Sequence, residues 1–131
     1  MLDKTKPTAS ELKILQILWK NQPCTVRFVH EILNKDKPES KQARYTGTLK
    51  MMQLMFEKRM LQRKIEGRKH YYTAAIQENE TQSALLDRFL QSAFGGSAKK
   101  LVMQALGNHS TSQEELNEIK ALIKKIEGGQ S

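Results

Sequence analysis

The sequence holds 131 residues, 38% apolar and 27% charged, the balance of a water-exposed globular chain with room for one or two small domains. No apolar run approaches the ~18 residues of a membrane span, residues 1–6 lack the apolar core of a secretory signal, and the lone Cys24 has no disulfide partner within the chain. Membrane insertion is therefore not expected and a reducing cytoplasm is. The net charge of +8 is concentrated, with nine Lys and Arg against two Asp and Glu in residues 41–70, while the segments on either side are nearly balanced.

Thr8-Ala9-Ser10-Glu11 has the spacing of a capping box and opens a first helix with an apolar stripe of Leu12, Leu15, Ile17, Leu18 and Trp19, closed by Asn21-Gln22-Pro23. Thr25 caps a second helix that presents Phe28, Val29, Ile32 and Leu33 on one side, with His30 on or beside the polar face. The polar run Asn34 to Gln42, broken by Pro38, reads as a connection. A third helix is expected over Tyr45 to Met60, where Thr48, Met51, Met52, Met55 and Phe56 recur at helical spacing. Leu49 and Leu54 share that helix, so periodicity alone does not say which apolar residues point inward. The methionines read as adaptable core filler.

The period then changes from 3.6 to 2 across Leu61 to Glu66 and Lys69 to Thr73, with Gly67-Arg68 between. This predicts a β-hairpin whose turn uses the positive φ that glycine tolerates. Helices followed by a basic hairpin predict a mainly α fold with a small β-hairpin wing, a winged helix-turn-helix domain over residues 1–75. Beyond it, residues 76–131 are expected to form a three-helix region. The first of these helices covers Asn79 to Phe94, Ser97 caps the second, which Gly107 can end, and a capping box at Ser112-Gln113-Glu114-Glu115 opens the last. Gly95-Gly96 reads as a hinge, and residues 128–131 as a frayed end.

Three short helices cannot bury so many apolar residues on one another, so they either pair with a second copy or fold back on the N-terminal domain; the isologous homodimer is the economical solution. Phe89, Leu90, Phe94, Leu101, Ile119 and Ile123 are the expected dimerisation residues. The charge block over residues 41–70 has the electrostatic footprint of a phosphate-backbone binder, which makes double-stranded operator DNA the expected partner. Arg44, Tyr45, Thr46, Gly47 and Lys50 are expected to read sequence from the third helix. Arg63, Lys64, Arg68 and Lys69 are expected to grip phosphates from the wing; His70 either contacts DNA or fills a strand position. A winged helix that assembles proteins without reading DNA is the rival, and it has less use for charge gathered on the third helix and wing.

Cys24, His30, His70 and His109 lie on different elements with neither catalytic nor metal-ligand spacing, so no enzyme activity, metal or cofactor is expected. Cys24 reads as a small buried thiol.

Taken together, Ser10 to Leu15 with Leu18-Trp19, then Tyr45 to Leu49, then Arg63 to Thr73, and finally Phe94-Gly95-Gly96-Ser97 with Leu101-Val102, resemble the penicillinase and methicillin-resistance repressors over residues 8 to about 126. The resemblance implies a homodimeric transcriptional repressor on an inverted-repeat operator, controlling β-lactam resistance or related genes. It also implies release by a sensor-triggered protease that cuts in the C-terminal region. The corresponding bond here is Gln104–Ala105, where well-known relatives have asparagine and phenylalanine. Leu54 and Phe56 stand where relatives often have polar residues, and Gly47 where they often have threonine. The cysteine-rich motif of copper-responsive relatives is absent.

Overall fold

A computed structural model describes residues 6–129. Residues 1–5, part of the stretch read above for a signal, and residues 130–131 of the expected frayed end lie outside it. The chain divides into two compact units, Met1–Leu86 and Asp87–Ser131.

In the first unit, α1 (Ala9–Asn21) starts at the expected capping box: Glu11 N–H donates to Thr8 Oγ1 at 3.1 Å, and Thr8 N–H to Glu11 Oε1 at 2.9 Å. Such a cap stabilises a helix by about 1 kcal/mol. Glu11 does more than cap, because its other oxygen accepts from Lys58 Nζ at 2.6 Å and ties the start of α1 to the far end of the third helix. Burial alone would raise the Glu11 carboxyl. The Lys58 ammonium and the Thr8 amide and hydroxyl outweigh it and hold the group below its ordinary value.

Thr25 caps α2 (Val26–Asn34) through the Phe28 amide at 3.1 Å. A connection containing one 3-10 turn (Glu39–Lys41) leads to α3 (Tyr45–Glu57). The third helix stops short of the expected Met60, because Arg59 takes a φ of 67° and delivers the buried Met60 and Leu61 into the start of a strand. Strands β1 (Leu61–Glu66) and β2 (Lys69–Ala74) pair antiparallel from Leu61↔Ala74 to Glu66↔Lys69. Their two-residue turn has Gly67 at φ 64° in its first place. Cys24 adds a single bridge on the other edge of β2, exchanging backbone hydrogen bonds with Tyr72 at 3.0 and 2.7 Å.

The core packs Ile14, Leu15 and Leu18 of α1, Val26 and Val29 of α2, Met52 and Met55 of α3, and Leu61 and Tyr72 of the hairpin. Trp19 lies against this cluster and donates its indole N–H to Ile76 O at 3.0 Å. Because Ile76 joins the core and Thr81 is fully buried, the first unit runs past residue 75, and α4 (Glu78–Phe94) begins in one unit and ends in the other. The protein is thus mainly helical with one two-stranded antiparallel sheet.

The second unit continues with α5 (Ala98–Asn108) and α6 (Gln113–Gly129). Ser97 accepts from the Lys100 amide at 3.2 Å, and Ser112 and Glu115 form the expected reciprocal cap. Gly95 and Gly96 take φ of 56° and 87°, a region that glycine, lacking a Cβ, enters with less strain than other residues. Gly107 does not end its helix, which continues one residue further. Among the residues of α5 and α6 whose side chains are described, none is buried.

Candidate nucleic-acid interface

On α3, a buried side formed by Thr48, Met52 and Met55 leaves an exposed arc of Thr46, Gly47, Lys50, Gln53, Leu54 and Glu57. Three of the expected readers, Thr46, Gly47 and Lys50, share this arc. Leu54 is on it too, 43% exposed, whereas Phe56 lies partly buried against the core. A Cβ added to Gly47 would meet nothing within 4 Å, so no neighbour within the chain requires glycine there. Arg44 is exposed at the N-cap. Tyr45 differs from the other nominees. Its ring is half-buried, edge-on to His30 at 5.5 Å, with the Arg27 guanidinium 4.8 Å from its centroid.

The wing's cations do not act as one group. Alternation along the strands puts Arg63 on the side of Leu61 and Tyr72, where its guanidinium lies 4.2 Å from the centroid of Phe56. Lys64 points to the other side and pairs with Glu66 at 3.7 Å, both well exposed, a contact worth little in water. Arg68, Lys69 and His70 line a groove of about 570 Å³ whose other wall is Thr25, Arg27, Phe28 and Glu31 of the α2 region and Tyr45, Leu49 and Gln53 of α3. Arg27, Arg68 and Lys69 face one carboxylate there, Glu31, so the groove is net positive.

Arg27 and Gln53 belong to this surface and were not among the sequence candidates. A cation two residues after the Thr25 cap was the available signal for Arg27. Gln53 was legible only as the residue one turn beyond Lys50. His30, expected on or beside the polar face of α2, lies beside it: it is half-buried and hydrogen-bonded on both ring nitrogens, because the connection and α3 close over that part of α2.

A family model described as penicillinase repressor matches residues 7–125. The chain belongs to the penicillinase repressor family. It is also 26% identical, over 116 residues and 88% of each chain, to the penicillinase repressor of Bacillus licheniformis. Membership makes the protein a transcriptional regulator of the penicillinase-repressor type, a DNA-binding family of repressors rather than of enzymes. Burial raises the Cys24 thiol above its ordinary range, and its Sγ donates to Asn21 O at 3.2 Å, as suits a structural cysteine. Among the described residues no cluster of three or more His, Cys, Asp or Glu could hold a metal, and no helix is long and apolar enough to cross a membrane.

The other nominated residues of this penicillinase-repressor chain lie in α4, α5 and α6. Phe89 and Ile123 are about half exposed, at 52% and 49%, and Leu90, Phe94, Leu101 and Ile119 are partly covered. Phe89 and Phe94 meet edge to face at 5.7 Å. Gln104 and Ala105 are exposed in the body of α5.

Proposed function

We propose that the protein is a cytoplasmic repressor that binds an inverted-repeat operator as a homodimer, its N-terminal domain reading DNA and its C-terminal helices pairing. The observation that carries the reading is the juxtaposition in one unit of the exposed α3 arc with a groove rimmed by Arg27, Arg68 and Lys69. In this arrangement α3 enters the major groove, with Thr46, Lys50 and Gln53 toward base edges, while the groove cations hold flanking phosphates. Family membership supports control of β-lactam resistance or related genes.

The pairing half of the proposal rests on the apolar residues left uncovered in α4–α6, among them Phe89, Val102, Met103, Ile123 and Ile126. A single copy leaves them in water, and a second copy would cover them. Release by a sensor-triggered protease fits the same design, since cutting α5 at Gln104–Ala105 would separate the two readers. The helix must first unwind to offer that bond.

The test is a mobility shift on the upstream region of the protein's own gene at two salt concentrations. Arg68→Ala and Lys69→Ala should each weaken all duplexes alike and reduce the salt slope by roughly one unit for each phosphate no longer neutralised. Wild-type affinity and slope in both variants would remove the phosphate role of the wing, and a wild-type chain without preference for its promoter would favour a protein-binding winged helix.

A further inference from the structure

The first turn of α3 packs Tyr45 against the core but has no cap of its own. The connection before it, residues 35–44, is exposed throughout and sends no apolar side chain into the core. The N-cap residue Arg44 makes no side-chain cap hydrogen bond. A reading helix displaced by an ångström misaligns its hydrogen bonds to bases, so some contact from outside α3 has to set its position.

That contact runs through two residues of α2. Asn34 grips the connection at Ala43 by both backbone groups: Ala43 N–H donates to Asn34 Oδ1 at 2.9 Å, and Asn34 Nδ2 donates to Ala43 O at 3.0 Å. A backbone N–H only donates and a carbonyl only accepts, so the Asn34 amide has one possible orientation. Its Nδ2 also lies 3.2 Å from His30 Nε2, which must therefore be the unprotonated, accepting nitrogen. The remaining proton of the neutral ring sits on Nδ1 and is donated to Thr48 Oγ1, 2.9 Å away in the first turns of α3. Thr48 is 3% exposed, and the Tyr45 ring packs edge-on to the same imidazole. His30 thus bridges α2, the connection and α3, and only the Nδ1–H tautomer satisfies both partners.

We infer that His30 is a positioning residue for DNA reading: its neutral Nδ1–H ring, oriented by Asn34, sets the first turn of α3 through Thr48 and Tyr45. The inference rests on the DNA-binding function proposed above, and its consequence is selectivity rather than general affinity. His30 meets Arg27 only through the Tyr45 ring and makes no contact with the wing cations Arg68 and Lys69, so the part of the salt slope that these two set should stay constant.

Three measurements on the full-length chain decide it. Nitrogen-15 spectra of the wild-type imidazole at a pH where it is neutral should show the proton on Nδ1; a proton on Nε2 overturns the inference. His30→Leu removes both hydrogen bonds and should lose roughly tenfold in preference for the promoter duplex over a scrambled duplex, the scale of one buried hydrogen bond, with faster exchange of the Gly47 and Thr48 amides. His30→Asn keeps an amide donor at the Nδ1 position and should recover much of both, although leucine is the better helix former and the more apolar filler. A residue that merely supported the fold would rank the two variants the other way. Wild-type selectivity in His30→Leu, or no advantage of Asn over Leu, overturns the inference. If the wild-type chain does not prefer its promoter, the DNA reading has failed instead, and amide exchange alone then decides whether His30 positions α3.

Discussion

Among the described residues, the first unit buries twelve apolar side chains, from Ile14 to Ile76, around one core, whereas α5 and α6 bury none and leave Val102, Met103, Leu122, Ile123 and Ile126 exposed. Both regions have well-formed caps and amphipathic helices, so local propensity does not separate them. The difference lies in long-range packing: the hairpin, the Cys24 bridge and three helices close over the N-terminal core, and the C-terminal helices have too few neighbours to do the same. A helix of this length draws most of its stability from the face it buries. The first unit therefore carries its own core, whereas the second does not, and the proposed second copy would supply the missing cover.

The strongest way to break that comparison is a charge in the uncovered C-terminal face. Ile123→Glu should convert a dimer to a monomer in sedimentation and reduce affinity for a two-half-site operator by ~10²–10⁴-fold, the loss expected when linked sites become independent. Melting of the N-terminal unit should not change. A variant that stays dimeric would place the interface elsewhere.

Truncation in the N-terminal core tests the opposite side. Met52 is fully buried, so Met52→Ala should lose about 2–5 kcal/mol in denaturant unfolding of the first unit. Leu122→Ala, more than half exposed in a single copy, should cost that much only through the dimer. Its effect should therefore grow with protein concentration, and the effect of Met52→Ala should not.

The Glu11–Lys58 pair sharpens the same contrast by pH. A carboxyl whose folded value is lowered contributes stability fully above its unfolded value, near 4.5, and loses that contribution as pH falls through the folded value. Acid titration of the wild type should therefore show a drop in stability of the N-terminal unit beginning near pH 4.5 and continuing below it. Glu11→Gln should be less stable at pH 7 and should flatten the drop. An unchanged acid profile would mean that Lys58 and Thr8 do not favour the ionised form.

The smallest effect is expected at Gly47. Its Cβ position is open, so Gly47→Ala should raise helix stability by up to about 1 kcal/mol while weakening operator binding if DNA approaches that backbone closely. Greater stability with unchanged binding would make Gly47 a tolerated residue rather than a contact.

Features settled within a few residues were legible in the sequence. The Thr8–Glu11 and Ser112–Glu115 boxes, the Thr25 and Ser97 caps and the positive φ at Gly67 all follow from side chains reaching backbone three residues away, or from a turn whose positive φ favours glycine. The alternation of Leu61 to Thr73 likewise determined the hairpin, and the charge block on residues 41–70 pointed to its partner.

What the sequence could not determine depends on residues far apart in the chain. His30 could be placed only on or beside the polar face of its helix because its partner Thr48 is eighteen positions away, and Glu11 looked only like a cap because Lys58 is forty-seven away. The wing cations looked equivalent until strand register sent Arg63 to Phe56, Lys64 to Glu66 and Arg68 and Lys69 to the groove. Helical periodicity left Leu49 and Leu54 undecided, since both sides of α3 are apolar; packing draws Leu49 against the core and leaves Leu54 exposed. The physical reason is common to all four cases: backbone hydrogen bonding and capping are local, whereas the choice of which polar group is paired and which apolar face is covered is made only when distant segments pack.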